Sequence, residues 1–252
     1  MPGRAELWHL IRTVIHLPTA PWLHYVGDTA AWIAALLGGG WVWRHRRAAV
    51  EQLARRTEPS YFIALACGAL AGAWLAGSLN SLRFALPQVS HSIAGALAGA
   101  IVGVELWKWR NGVRQSTGGS FVIPLCLGVI VGRWGCLFAG LADGTYGTPT
   151  MLPWAVDLGD GIGRHPVEIY ESLAVAAFLA FYWRALVLRR RWALCHGFHV
   201  FVLAYAAQRF AWEFLKPYPS LLGPLNLFHL LMLGLIIYAI VWIARDASRA
   251  AA

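Results

Sequence analysis

Residues 225–244 read LNLFHLLMLGLIIYAIVWIA, twenty residues without one Asp, Glu, Lys or Arg. A helix rises about 1.5 Å per residue, so this run reaches ~30 Å, the depth of a bilayer's hydrocarbon core. Lipid offers no partner to backbone N–H and C=O groups, and a helix satisfies them internally. Working outward, six further apolar runs lie at 26–43, 61–79, 92–107, 121–139, 169–188 and 197–214. Seven membrane-spanning helices are therefore expected. The 225–244 run holds no Lys, so a Schiff base to retinal is excluded on chemistry.

Composition agrees. The chain has 252 residues, of which 58% are hydrophobic and 13% charged, about half the ~25% charge of soluble domains. That excludes a disordered chain and an ordinary soluble enzyme. The charge of +9 is not a nucleic-acid footprint, because it is sorted by side. With the N-terminus outside, fourteen Lys and Arg fall in inside segments and five outside, Arg133 and Arg209 lying within spans. The positive-inside rule then places the N-terminus outside and the C-terminus in the cytoplasm. No internal repeat is visible, and an odd span count argues against an inverted-repeat transporter. Cys67, Cys126, Cys136 and Cys195 are too scattered for a disulfide framework or a zinc motif, so no metal and no cofactor are expected. Residues 7–24 hold Arg12 and three His, with Arg4 and Glu6 just upstream, too polar for a span, and predict an interfacial helix. Small residues crowd 67–73 and 94–100, which predicts close helix contact. The fold class expected is an all-α integral membrane protein: one domain over 1–252, a seven-helix bundle, an N-terminal interfacial helix and an outward-facing cap loop at about 140–168.

The loop at 140–168 is rich in Gly and Pro and carries Asp143, Asp157 and Asp160. Three stretches around it place ionisable groups at the outer membrane level: Val131-Gly132-Arg133-Trp134-Gly135-Cys136, Arg164-His165-Pro166-Val167-Glu168-Ile169-Tyr170-Glu171 and Gln208-Arg209-Phe210-Ala211-Trp212-Glu213. A charge within the bilayer costs at least ~2.5–3.5 kcal/mol, so each needs a partner or a polar cavity. Two readings are open. Arg209 can bridge Glu213 and Arg133 can bridge Glu171, a purely structural use. Alternatively, the Arg forks grip a phospholipid phosphate, with Gly132 and Gly135 letting the headgroup approach the backbone. His91 reads as an interfacial hydrogen-bonder, His199 and His229 as packing residues, and Cys136 as a small buried thiol.

These stretches resemble the prolipoprotein diacylglyceryl transferases. That family's pattern runs approximately G-R-x-G-N-F-x-N-G-E, then L-P-W-G, then R-H-P-x-Q-L-Y-E, then R-x-x-x-E-F. The counterparts are Gly132 to Gly140, Leu152-Pro153-Trp154-Ala155, Arg164 to Glu171, and Arg209 to Phe214. The departures are Cys136 and Ala139 for two Asn, Leu141 for a Glu with Asp143 nearby, and Ala94 for a His with His91 three residues earlier. The resemblance implies transfer of a diacylglyceryl group from phosphatidylglycerol to the lipobox cysteine of a prolipoprotein signal peptide, releasing glycerol-1-phosphate. It implies catalytic roles for Arg133, Arg209, Glu213, His165 and Glu171. It implies substrate contacts from Arg133, Arg164, Tyr170, Gly132, Gly135, Gly140, Asp143 and His91, in a monomer. The rival expectation is a non-catalytic phospholipid-binding protein of the same fold.

Overall fold

The computed structural model describes residues 14–82 and 90–251, with side chains through Arg245. Among the described residues, each apolar run lies in a helix. The elements in order are β1 (Ile15–His16), α1 (Leu23–His45), α2 (Arg47–Arg56), α3 (Pro59–Ser81), α4 (Ile93–Arg110), α5 (Val122–Ala139), β2 (Val156–Asp157), β3 (Gly163–Arg164), α6 (Val167–Val187), α7 (Arg191–Cys195), α8 (Gly197–Glu213) and α9 (Leu227–Ala251). Local chemistry sets several boundaries. Pro59 stands in the first turn of α3, where its missing N–H costs nothing. Ser92 caps α4 by accepting from the Gly95 N–H. Gly140 ends α5 at φ +70, a conformation that a side chain would oppose.

Among the described residues, four segments are long and apolar enough to cross a membrane: Pro59–Ser81, Gly118–Asp143, Val167–Val187 and Leu227–Arg245. The outer surface is apolar as well. Trp32, Leu36 and Leu37 are each at least 70% exposed on α1, a display that water penalises and lipid does not. The chain is thus a mostly helical, multi-pass membrane protein.

Without a hydrophobic drive between helices in lipid, close backbone approach supplies the packing. Between α3 and α4, a Cβ added at Gly99 would sit 2.1 Å from the Gly68 carbonyl oxygen. One added at Gly72 would sit 2.3 Å from that of Gly95. The small residues at 67–73 and 94–100 are therefore an interhelical seam, as expected. A second seam joins α1 to α5, where a Cβ at Gly27 would lie 2.2 Å from the Gly135 Cα. The main core lies where α5, α6, α8 and α9 meet, around Val122, Cys126, Val175, Val202, Tyr205, Ala206 and Met232.

The interfacial-helix expectation for 7–24 is corrected where it can be seen. Residues 7–13 lie outside the described residues. Residues 14–22 are not helical: Ile15 and His16 form a strand parallel to Val156 and Asp157. Pro18 and Pro21 each remove a helix donor, and the segment's N–H groups bond instead across to the 140–168 loop, Ile15 to Ala155 O (3.0 Å) and Leu17 to Asp157 O (3.2 Å).

That loop has its own order. β2 pairs antiparallel with β3. Leu137, Val156 and Leu158 form a small separate core, with Leu17, Tyr146 and Ile169 packed on it. The Thr148 N–H bonds Leu215 O at 2.6 Å, tying the loop to the end of α8. Trp154 Nε1 donates to Tyr170 Oη at 2.6 Å, tying it to α6.

Candidate functional site

Glu171, on α6, is wholly buried, with three cations around it. Arg133 Nε from α5 stands 2.6 Å from Oε2. Arg209 Nη1 from α8 reaches Oε1 at 2.7 Å and Oε2 at 2.6 Å. Lys216 Nζ, just past α8, reaches Oε1 at 2.8 Å. Glu213 completes the layer: its Oε1 lies 2.7 Å from Arg209 Nε and 3.6 Å from Lys216 Nζ, and its Oε2 accepts from Asn226 Nδ2 at 3.2 Å. Three cations thus share two carboxylates in a buried layer, leaving positive charge in excess among these ion pairs. Both pairings expected from sequence are present, and they are joined into one network. The structural reading and the anion-binding reading are compatible, because each guanidinium carries five donors and Glu171 takes only some of them.

Beside this layer, Arg133 Nη1 donates to Cys136 Sγ at 3.8 Å. His24, at the start of α1, brings its Nδ1 to 2.7 Å from Asp143 Oδ1 and its Nε2 to 3.3 Å from Asp28 Oδ2. Thr145 Oγ1 donates to Asp143 Oδ2 and, at 3.3 Å, to Glu168 Oε1. The His91 ring stands 5.7 Å from the His24 ring.

Other expected site residues are placed differently. Arg164 spends its fork on Asp160, at 2.6 and 2.7 Å, and lies over the Tyr146 ring. It pins the loop rather than presenting a free fork to a headgroup. Gly132 and Gly135 face α1, where Ala31 and Gly27 occupy the space a headgroup would need. Their smallness serves helix contact. Gly140 makes the turn after α5 and abuts Thr19. His165 Nδ1 lies 3.4 Å from Tyr170 Oη, whose ring also packs on Trp212. His199 and His229 are buried packing residues, stacked on Trp242 and wedged between Phe210 and Phe214. Three participants escaped the sequence reading. Lys216 is one of the five Lys and Arg that the sequence puts in outside segments, although its spacing three residues after Glu213 is the signal that places it here. Asp28, four residues after His24 on α1, carries the same kind of spacing signal, and Asn226 carries none.

The loop's carboxylates predict a stability that depends on acid. Asp157 accepts from the N–H groups of Gly159, Asp160 and Gly161 and meets His16. These backbone donors hold its carboxyl below the ordinary 3.8, and Arg164 does the same for Asp160. A depressed carboxylate stabilises above its unfolded pKa, and that contribution is lost as pH falls through the folded one. Protease resistance of 156–164 is expected to drop on acidification below about pH 4. Asp157→Asn should cleave faster at neutral pH and show a weaker acid dependence. A loop equally resistant at neutral pH and well below both pKa values would remove these carboxylates from its stability.

The model of the prolipoprotein diacylglyceryl transferase family matches residues 29–245. The chain belongs to this family. A phosphatidylglycerol–prolipoprotein diacylglyceryl transferase of Gloeobacter violaceus is 33% identical over 183 residues, 66% of this chain and 65% of that protein. A like-named enzyme of Streptomyces coelicolor is 36% identical over 134 residues, covering 49% and 37% of the two chains. One of Methylobacillus flagellatus is 33% identical over 145 residues, covering 56% and 53%. In each case the chain spans less than two thirds of the relative's length. No solved structure matches significantly. The match takes in the whole Arg133, Glu171, Arg209 and Glu213 layer but not His24, which precedes it.

Proposed function

We propose that this chain transfers a diacylglyceryl group from phosphatidylglycerol to the thiol of a prolipoprotein signal-peptide cysteine. The observation that carries the reading is the convergence of Arg133 and Arg209, from separate helices, on one buried carboxylate with Lys216 beside them. Such a layer is preorganised for an added anion. The lipid phosphate takes the remaining guanidinium donors. The acceptor sulfur attacks the glyceryl carbon, the C–O bond breaks toward phosphorus, and glycerol-1-phosphate leaves. Charge gathers on that leaving phosphate, where fixed Arg dipoles stabilise it most. Glu171 orients both Arg residues. Three cations already hold its oxygens, so His165, beside Tyr170, is given the role of receiving the thiol proton. Glu213 orients Arg209.

The setting is a seven-span monomer in a bacterial inner membrane, N-terminus out and C-terminus in, with the 140–168 loop as an outward cap over the Arg layer. Arg excess at the inner edges and the loop's ties to α6 and α8 support this arrangement. A second reading, a phospholipid-binding protein without transfer, draws on Ala94, which stands where the family motif has a His. Mass spectrometry of lipoproteins from cells with and without the chain separates them. Loss of a thioether-lipidated protein with the chain is the expected result; an unchanged lipoprotein profile selects the second reading.

A further inference from the structure

His24, Cys136 and Asp143 come from α1, α5 and the turn after α5, and their donor atoms all lie within 4.8 Å of one another. Imidazole, thiolate and carboxylate together form a borderline-soft donor set that suits Zn2+. Zinc ligands sit at about 2.0–2.3 Å from the metal, so small side-chain adjustments suffice to close such a triangle. The surroundings are those of a built site. Asp28 lies on His24 Nε2 at 3.3 Å, which leaves Nδ1 as the ligating nitrogen. Thr145 holds Asp143 Oδ2, which leaves Oδ1 facing the triangle. His24 Nδ1 is buried and already stands 2.7 Å from Asp143 Oδ1, so two of the three donors are in place.

We propose that His24, Cys136 and Asp143 bind one Zn2+, whose open fourth position receives the acceptor thiol beside the Arg layer. Three protein ligands with one vacant position is the pattern of catalytic rather than structural zinc. Arg133 links the two parts, since it touches both Cys136 and Glu171. The role in transfer rests on the proposed function; the metal site itself does not. On coordination the acceptor thiol gives up its proton to His165, and the bound thiolate is the nucleophile. Its electron pair forms the new C–S bond as the C–O electrons pass to the departing glycerol phosphate. No oxidant or reductant enters.

The test uses the full chain purified in detergent, stripped with a chelator and titrated with Zn2+, then with Co2+ as a spectroscopic probe. About one equivalent of Zn2+ and a thiolate-to-cobalt charge-transfer band are expected. Cys136→Ser should lose the band. Asp28→Asn, which leaves all three ligands in place, should weaken Zn2+ binding by about 10- to 100-fold with unchanged helix content. Wild type that binds no Zn2+, or binds Co2+ without the band, overturns the site. Transfer from phosphatidylglycerol to a cysteine peptide is followed on the same samples. An undiminished rate after stripping overturns the metal's role and leaves the His24–Asp143 pair acting alone. Metal binding without any transfer supports the site and defeats the transferase reading instead.

Discussion

Glu171→Gln is expected to destabilise the protein by about 3–5 kcal/mol, the cost of breaking a buried ion pair from one side. The substitution keeps volume, so the loss is electrostatic. Arg133, Arg209 and Lys216, now sharing Glu171, are left with Glu213 as the one remaining carboxylate of their layer. An exposed pair calibrates the measurement. Glu51 bridges Arg47 at 2.9 Å on α2, with the two side chains 53% and 73% exposed, so Glu51→Gln should change stability by less than about 1 kcal/mol. Thermal melting of the two variants in the same detergent checks the contrast. Equal melting temperatures would mean that the cations do not depend on Glu171.

Arg133→Lys and Arg209→Lys are expected to lower transfer or lipid affinity by about 10- to 150-fold. Each keeps a charge near Glu171 but loses the planar fork. A lost charge-assisted hydrogen bond costs roughly 1.5–3 kcal/mol, which sets that range. Phosphatidylglycerol should raise the melting temperature of wild type and do so much less for either variant. If both variants melt lower than wild type yet gain the same lipid stabilisation, the Arg pair supports the fold and does not hold the phosphate. Arg133→Lys should show the larger effect of the two if the metal site is real, because it also removes the contact at Cys136.

The sequence by itself determined the membrane setting and the helices. Apolar length, charge sidedness and backbone satisfaction in lipid are local quantities, and a run such as 225–244 expresses them without help from the rest of the chain. The pairing of Arg209 with Glu213 was equally readable, because four residues on one helix fix the geometry. The glycine seam between α3 and α4 was readable as smallness, though not its partners. What the tertiary structure alone decided was direction. Gly135 faces Gly27 rather than a headgroup, and Arg164 turns to Asp160 rather than to lipid. The segment before α1 was read as a helix, and its strand partner lies more than a hundred residues away. His24, Cys136 and Asp143 show no motif, because their adjacency is made by α1 packing flush on α5 through Gly27 and Gly135. Sequence periodicity reports which face a residue occupies; only packing reports what stands opposite that face.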